Sequence, residues 1–154
     1  MLPDHGSYAL VFRVNRRVKV NVGSLGDVIV EAGSWTYVGS GMGQGSSGLR
    51  GRLGRHLKSA REGTERPHWH IDHLLSQVRP EVEGAWIMEG DRECELAAAL
   101  ADMVPGIRGF GCSDCHCETH LFRAGIAETA EAVRRVGGGT FLPTPTLERW
   151  VSQL

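Results

Sequence analysis

Four strand-like runs crowd into the first forty residues, and the connections between them are too short to carry a chain back across a sheet for parallel pairing. Tyr8-Ala9-Leu10-Val11-Phe12-Arg13-Val14 is rich in β-branched and aromatic residues. Arg17-Val18-Lys19-Val20-Asn21-Val22 alternates strictly and puts three valines on one face. Glycines at 23 and 26 break the pattern, Val28-Ile29-Val30 resumes it, and Ser34-Trp35-Thr36-Tyr37-Val38 ends it at a glycine. The spacing predicts an antiparallel sheet in which the first two runs form a hairpin.

The stretch from Gly39 to Gly48 holds five glycines and three serines, so it is a loop, and Leu49, Leu53, Leu57 and Ala60 then recur at helical spacing. Arg52 and His56 fall at the edge of that stripe, where side chains line a cleft between helix and sheet. Ile71, Leu74, Leu75 and Val78 predict a second helix, and Leu96, Ala99, Leu100 and Met103 a third that Pro105-Gly106 stops. A buried strand around Ala85-Trp86-Ile87-Met88 lies between them. Thr119 to Arg123 reads as an edge strand and Ala127 to Val136 as another helix. Gly137-Gly138-Gly139 reads as a flexible break before a short last helix from Thr144-Pro145. The class is α/β in the broad sense and α+β in detail: a small central antiparallel sheet flanked by helices. At 154 residues with 41% hydrophobic content, the chain can bury one core.

No apolar run spans a bilayer, and Met1-Leu2-Pro3-Asp4-His5 lacks the basic and apolar regions of a signal peptide, so the expected location is the cytoplasm, with no membrane partner. Thiols stay reduced there, which favours packed, metal-bound or functional roles for Cys94, Cys112, Cys115 and Cys117 over disulfides. The net charge of −1 hides a split: ten basic against six acidic residues in 1–74, and seven against twelve in 75–154. Arg50, Arg52, Arg55, Lys58 and Arg61 form a run without an acidic residue, and a polyanion would be met there. The plainer alternative is a solvated helix face. The glycine loop has neither the Gly-Lys-Ser/Thr ending of a P-loop nor the βαβ context of a dinucleotide site.

Gly6-Ser7-Tyr8 and Tyr37-Val38-Gly39, followed by the glycine loop and Gly48-Leu49-Arg50-Gly51-Arg52-Leu53-Gly54-Arg55-His56-Leu57, resemble the GIY-YIG nuclease superfamily. Trp69-His70-Ile71-Asp72-His73-Leu74-Leu75, Glu93-Cys94-Glu95-Leu96-Ala97 and Gly109-Phe110-Gly111-Cys112-Ser113-Asp114-Cys115-His116-Cys117 are similar to its Uri-type branch, some members of which are attached to endonuclease III-like repair glycosylases. The resemblance spans residues 5–123 and leaves 124–154 as a C-terminal extension packing on the same domain. The sequence departs from the pattern in the serine of Gly6-Ser7-Tyr8 and in the distance to Tyr37, which an inserted β-ribbon around residues 17–30 would explain.

The resemblance implies a metal-dependent endonuclease acting on nucleic acid, DNA ahead of RNA, in a repair context, with a repair glycosylase as a partner class. It implies that Tyr8 and Tyr37 sit on adjacent strands with their phenols in the cleft, with Tyr37 preferred for activating or orienting water. A phenol ordinarily titrates near about 10, so a base role needs a cation beside it. Arg52 matches the helix arginine that takes a phosphate oxygen. His56 is a second contact, and Gly39, Arg50, Arg55 and Lys58 complete the substrate side. A family histidine between the helices falls on His68, with His70 as the backup. His68, His70, His73 and Asp72 also have zinc-ligand chemistry, but side chains at one short helix start radiate in different directions.

Mg²⁺ or Mn²⁺ requires a carboxylate on the helix after the Trp86 strand. Glu93 shares a face with Leu96, Ala97 and Leu100 and is preferred; Glu95 is the alternative, and either one also reads as a helix-start charge. Cys112, Cys115, Cys117 and His120 have the chemistry of a tetrahedral zinc site, although the four are crowded in sequence, and packed reduced cysteines are the alternative. Two other functions stay open: a nucleic-acid-binding module that does not cut, and a zinc-stabilised adaptor docking on a repair enzyme.

Overall fold

The computed structural model describes residues 1–112 and 115–153; Ser113 and Asp114 of the cysteine-rich phrase lie outside the described residues. The architecture is α+β, with a five-stranded antiparallel sheet, a two-stranded sheet and five α-helices. The strands are β1 (Gly6–Val14), β2 (Val18–Asn21), β3 (Asp27–Val30), β4 (Gly33–Gly41), β5 (Glu81–Glu89), β6 (Leu121–Phe122) and β7 (Thr140–Pro143). The helices are α1 (Leu49–Glu62), α2 (His70–Val78), α3 (Glu93–Ala101), α4 (Ile126–Arg135) and α5 (Thr144–Val151).

β1 lies at the centre of the order β6-β4-β1-β5-β7. Eight of its nine residues are buried, because helices cover both faces of the sheet and no polar alternation is required. Tyr8, Leu10, Phe12 and Val14 face a core that includes Leu49, Leu53 and Leu57 of α1, Ile71, Leu74 and Leu75 of α2, and Leu147 and Trp150 of α5. Ala9 and Val38 face the opposite way, toward Leu96, Ala97 and Leu100 of α3 and Ala132 and Val133 of α4. Each fully buried leucine of the α1 stripe contributes about 1.5–3 kcal/mol, far more than helix propensity supplies to a segment holding two glycines.

The first two runs do not form a hairpin. β1 spends one edge on β4 and the other on β5, so β2 has no edge of β1 left and pairs with β3 in a separate ribbon. The ribbon occupies the place of the expected insertion, and Val20, Val22 and Val30 pack into the α1–α2 side of the core. The segment after the three glycines is a second correction: Thr140–Pro143, expected as part of a tail, is a strand that pairs Leu142 with Ala85 and Phe141 with Trp86. Pro143 is tolerated because β7 is an edge strand. Leu121–Phe122 forms the opposite edge, paired with Thr36 and Tyr37. Among the described residues no helix is long and apolar enough to cross a membrane.

Candidate active site

Tyr8 and Tyr37 become neighbours through the register of β1 and β4. Tyr37 stands opposite Leu10 and Tyr8 opposite Gly39, so the two tyrosines lie diagonally on one face, with ring centres 6.4 Å apart. Gly39 is the residue that leaves room for this arrangement, since a Cβ there would collide with the phenol oxygen of Tyr8. His56 enters from α1, one turn after Arg52. Its ring centre is 5.5 Å from that of Tyr8 and 5.9 Å from that of Tyr37.

The Tyr8 phenol oxygen and His56 Nε2 are 2.6 Å apart, and the two residues are each 1% exposed. Burial pushes the Tyr8 hydroxyl well above its ordinary range, reinforced by Tyr37 and opposed by Arg52. Burial likewise pushes His56 down to about 4; Asp72 raises it, while Arg52 and Arg55 lower it. At neutral pH both partners are therefore uncharged. Among the described residues the phenol has no other partner, so Tyr8 donates to Nε2 and the imidazole carries its proton on Nδ1, a tautomer assigned from the bond. Nδ1 itself is buried without a partner. Tyr37 is also pushed up, first by burial and next by the charge of Glu93.

Arg52 and Arg55 stack on Trp69, the residue before α2, with guanidinium carbons 4.6 Å and 4.9 Å from its ring centre. Asp72 fixes this corner. Its fully buried Oδ2 accepts from Arg55 at 2.9 Å and from the backbone N–H groups of His68 at 2.8 Å and Trp69 at 2.9 Å, thereby capping α2. Arg55 is thus committed to Asp72, whereas Arg52 makes no ion pair among the described residues and its Nε is unpartnered.

The other expected cations are not gathered here. Arg50 lies over Trp150 of α5, 5.2 Å from the ring centre. Lys58 lines a groove of about 750 Å³ with Glu62, Arg66 and Arg79 that contains neither tyrosine, nor His56, nor Glu93. Size alone does not mark the site. A hollow of about 120 Å³ does open beside Tyr37, walled by Ser24, His68, Trp69, His70 and Gly111. Both histidines expected between the helices reach it. His70 has each ring nitrogen engaged: Nδ1 accepts from the Gly111 N–H at 2.8 Å and Nε2 faces the Ser24 hydroxyl at 3.3 Å. His68 is exposed and packs edge-on to Trp69, ring centres 4.9 Å apart.

Glu93 occupies the first turn of α3, half-buried, with a carboxylate oxygen 3.9 Å from Nδ1 of His120. Burial raises its pKa, while His120 and Arg52 lower it. Glu95 is exposed on the same turn, so of the two carboxylates it is Glu93 that faces the tyrosines' surroundings.

The cysteine grouping differs from the expected one. Cys94, Cys115, Cys117 and His120 bring three thiols and an imidazole together, with their ligand atoms all within 4.8 Å of one another. This donor set is one that can hold a metal ion such as zinc. Cys112 is outside it, donating instead to the Phe110 carbonyl at 3.4 Å. Burial, and then Cys115, push its thiol up to about 12. The replacement relieves the crowding, because Cys94 arrives from α3, well upstream of the other ligands. No local spacing in the sequence joins Cys94 to the other three. His120 presents Nε2 to Cys115, 3.2 Å from Sγ, and Nδ1 to the Val38 carbonyl at 3.1 Å.

Neither the curated proteins nor the solved structures contain a match to this chain. A family profile described as "Domain of unknown function DUF123" matches residues 7–139, a span that holds both tyrosines, the α1 arginines, Glu93 and all four members of the thiol–imidazole cluster. The chain belongs to the DUF123 family.

Proposed function

We propose that this protein is a metal-dependent endonuclease that hydrolyses phosphodiester bonds in nucleic acid, DNA ahead of RNA, by GIY-YIG-type chemistry. The observation that carries the reading is the buried 2.6 Å bond between Tyr8 and His56 within a cluster that also contains Tyr37 and lies beside Arg52 and Glu93. A neutral imidazole already accepting from a phenol is placed to take its proton, a step that needs the charge of a bound phosphate to offset the burial and the arginines that hold His56 down to about 4. As an attacking water gives a proton to the Tyr8 oxygen, Tyr8 passes its own to His56 Nε2, and the resulting hydroxide forms a bond to phosphorus. The bond to the leaving oxygen breaks in line. This arrangement favours Tyr8 over Tyr37 as the group that takes the proton. Tyr37, at the hollow, orients water or substrate.

Arg52 supplies its N–H fork to a phosphate oxygen as charge builds there, and its stacking on Trp69 limits the rotamers it must give up. Glu93 is the residue that would hold Mg²⁺ or Mn²⁺, which when bound neutralises charge on the phosphate and leaving oxygens. Cys94, Cys115, Cys117 and His120 would hold zinc, in a structural role. A repair role and a glycosylase partner follow from the resemblance alone. A binding module that does not cut is the second reading, favoured by the depth of Tyr8, 1% exposed.

The test is cleavage of labelled single-stranded, duplex and branched DNA and RNA with Mg²⁺ or Mn²⁺. Activity in the wild type that disappears in Tyr8→Phe, Arg52→Ala and Glu93→Ala supports the nuclease. Binding by the wild type without cleavage of any substrate overturns it in favour of the module.

A further inference from the structure

The thiol–imidazole cluster is joined to the proposed catalytic carboxylate by the chain itself. Cys94 follows Glu93 on the first turn of α3. On the other side, His120 grips the residue after Tyr37 twice. Its carbonyl accepts from the Val38 N–H at 2.8 Å, and its Nδ1 donates to the Val38 carbonyl at 3.1 Å. The Nδ1 contact leaves Nε2 free of a proton and directed into the cluster, 3.2 Å from Cys115 Sγ. A metal bonded to Cys94 and His120 would therefore link Glu93 to Tyr37 through Cys94, His120 and Val38.

Without a metal, Leu96, Ala97 and Leu100 still pack α3 on Val38, but little ties the loop that carries Cys115 and Cys117 to the start of that helix. Between Phe110 and Thr119 none of the described side chains is fully buried, so this loop has no core of its own. With zinc bound, the Val38 carbonyl, 3.1 Å from His120 Nδ1, would be the outer-shell partner that orients the ligating imidazole, with the Glu93 carboxylate 3.9 Å away.

We infer that zinc held by Cys94, Cys115, Cys117 and His120 is the clamp that fixes Glu93 relative to Tyr37, so that its loss unseats the carboxylate while the central sheet stays folded. The functional consequence rests on the nuclease reading; the clamp does not.

The experiment uses the untagged full chain as wild type, Cys94→Ser and Cys112→Ser, together with wild type stripped by a thiol-displacing chelator and reloaded with zinc. Zinc content, amide exchange and cleavage are measured on each. The expected result is stoichiometric zinc in the wild type and Cys112→Ser, with affinity in Cys94→Ser lower by on the order of tenfold or more. Exchange at Val38 and the start of α3 accelerates about tenfold on zinc loss, the β1–β5 amides are unchanged, and cleavage falls in step and returns on reloading. A wild type made in zinc-sufficient medium without bound zinc overturns the proposal. So does bound zinc whose removal alters neither Val38 exchange nor cleavage. Zinc-dependent exchange in a protein that cleaves nothing upholds the clamp and removes the nuclease reading instead.

Discussion

The phenol of Tyr8 and the imidazole of His56, 48 residues apart in sequence, share a buried hydrogen bond of 2.6 Å on the inner face of the sheet. Tyr8→Phe deletes the proton that this bond moves while keeping the ring. Cleavage should fall by roughly a hundred- to ten-thousandfold, the usual worth of a positioned acid–base group. Leaving Nε2 without its donor should cost about 1–3 kcal/mol of stability, read from urea unfolding.

His56 also predicts the pH dependence of folding. Its folded pKa of about 4 lies below the unfolded value of 6.5, so between these limits the unfolded chain binds the extra proton. Stability from this group is full above pH 6.5, declines as pH falls, and levels off below about 4, a change of about 3 kcal/mol. Urea midpoints measured across that window should flatten in His56→Asn. Equal slopes in both proteins would contradict the assignment.

Asp72→Ala removes one carboxylate that accepts from Arg55 and from two backbone donors at the start of α2. Unfolding free energy should drop by about 1–3 kcal/mol, because two backbone donors lose their acceptor while the Arg55 side chain, 40% exposed, is rehydrated. Asp72→Asn retains an acceptor for the cap and should recover part of that loss.

Gly39→Ala drives a methyl into the Tyr8 phenol. It should destabilise by about 1–3 kcal/mol through overpacking and displace the proton relay, so that cleavage falls more than stability accounts for. Full activity at an unchanged melting temperature would show that the two strands part more easily than their register indicates.

The carboxylates separate cleanly. Glu93→Gln should abolish metal-dependent cleavage, whereas Glu95→Ala, on the exposed side of the same helix turn, should leave kcat within about twofold because surface changes of this kind are small. The reverse pattern in cleavage assays would move the metal to Glu95.

Periodicity made the helices legible. The leucine stripe of α1 and the Ile71–Leu75 face of α2 are each buried against one sheet face, where a 3.6-residue repeat is the direct imprint of packing. Strand partners were less legible, because alternation in Val18–Val22 states that one face is covered and not which edge it pairs with. β1 gave a stronger clue, its unbroken apolar run being that of a strand covered twice and so central. β7 was hidden by its brevity, by Pro143 and by the glycines before it. In the site, the phase of α3 separated Glu93 from Glu95. The thiol set was misread because Cys112 has regular local spacing, while Cys94 reaches the cluster only through the packing of α3 beside the loop that ends at His120.

The ribbon carries an implication for how this fold varies. β2 and β3 pair only with each other, yet their connecting turn brings Ser24 to the rim of the hollow, against His70. Residues gained or lost at that turn would lengthen or shorten the rim without sliding any strand of the main sheet. On the proposed function, breadth of substrate acceptance would drift between related chains while the buried rings of Tyr8 and His56 beneath keep their positions.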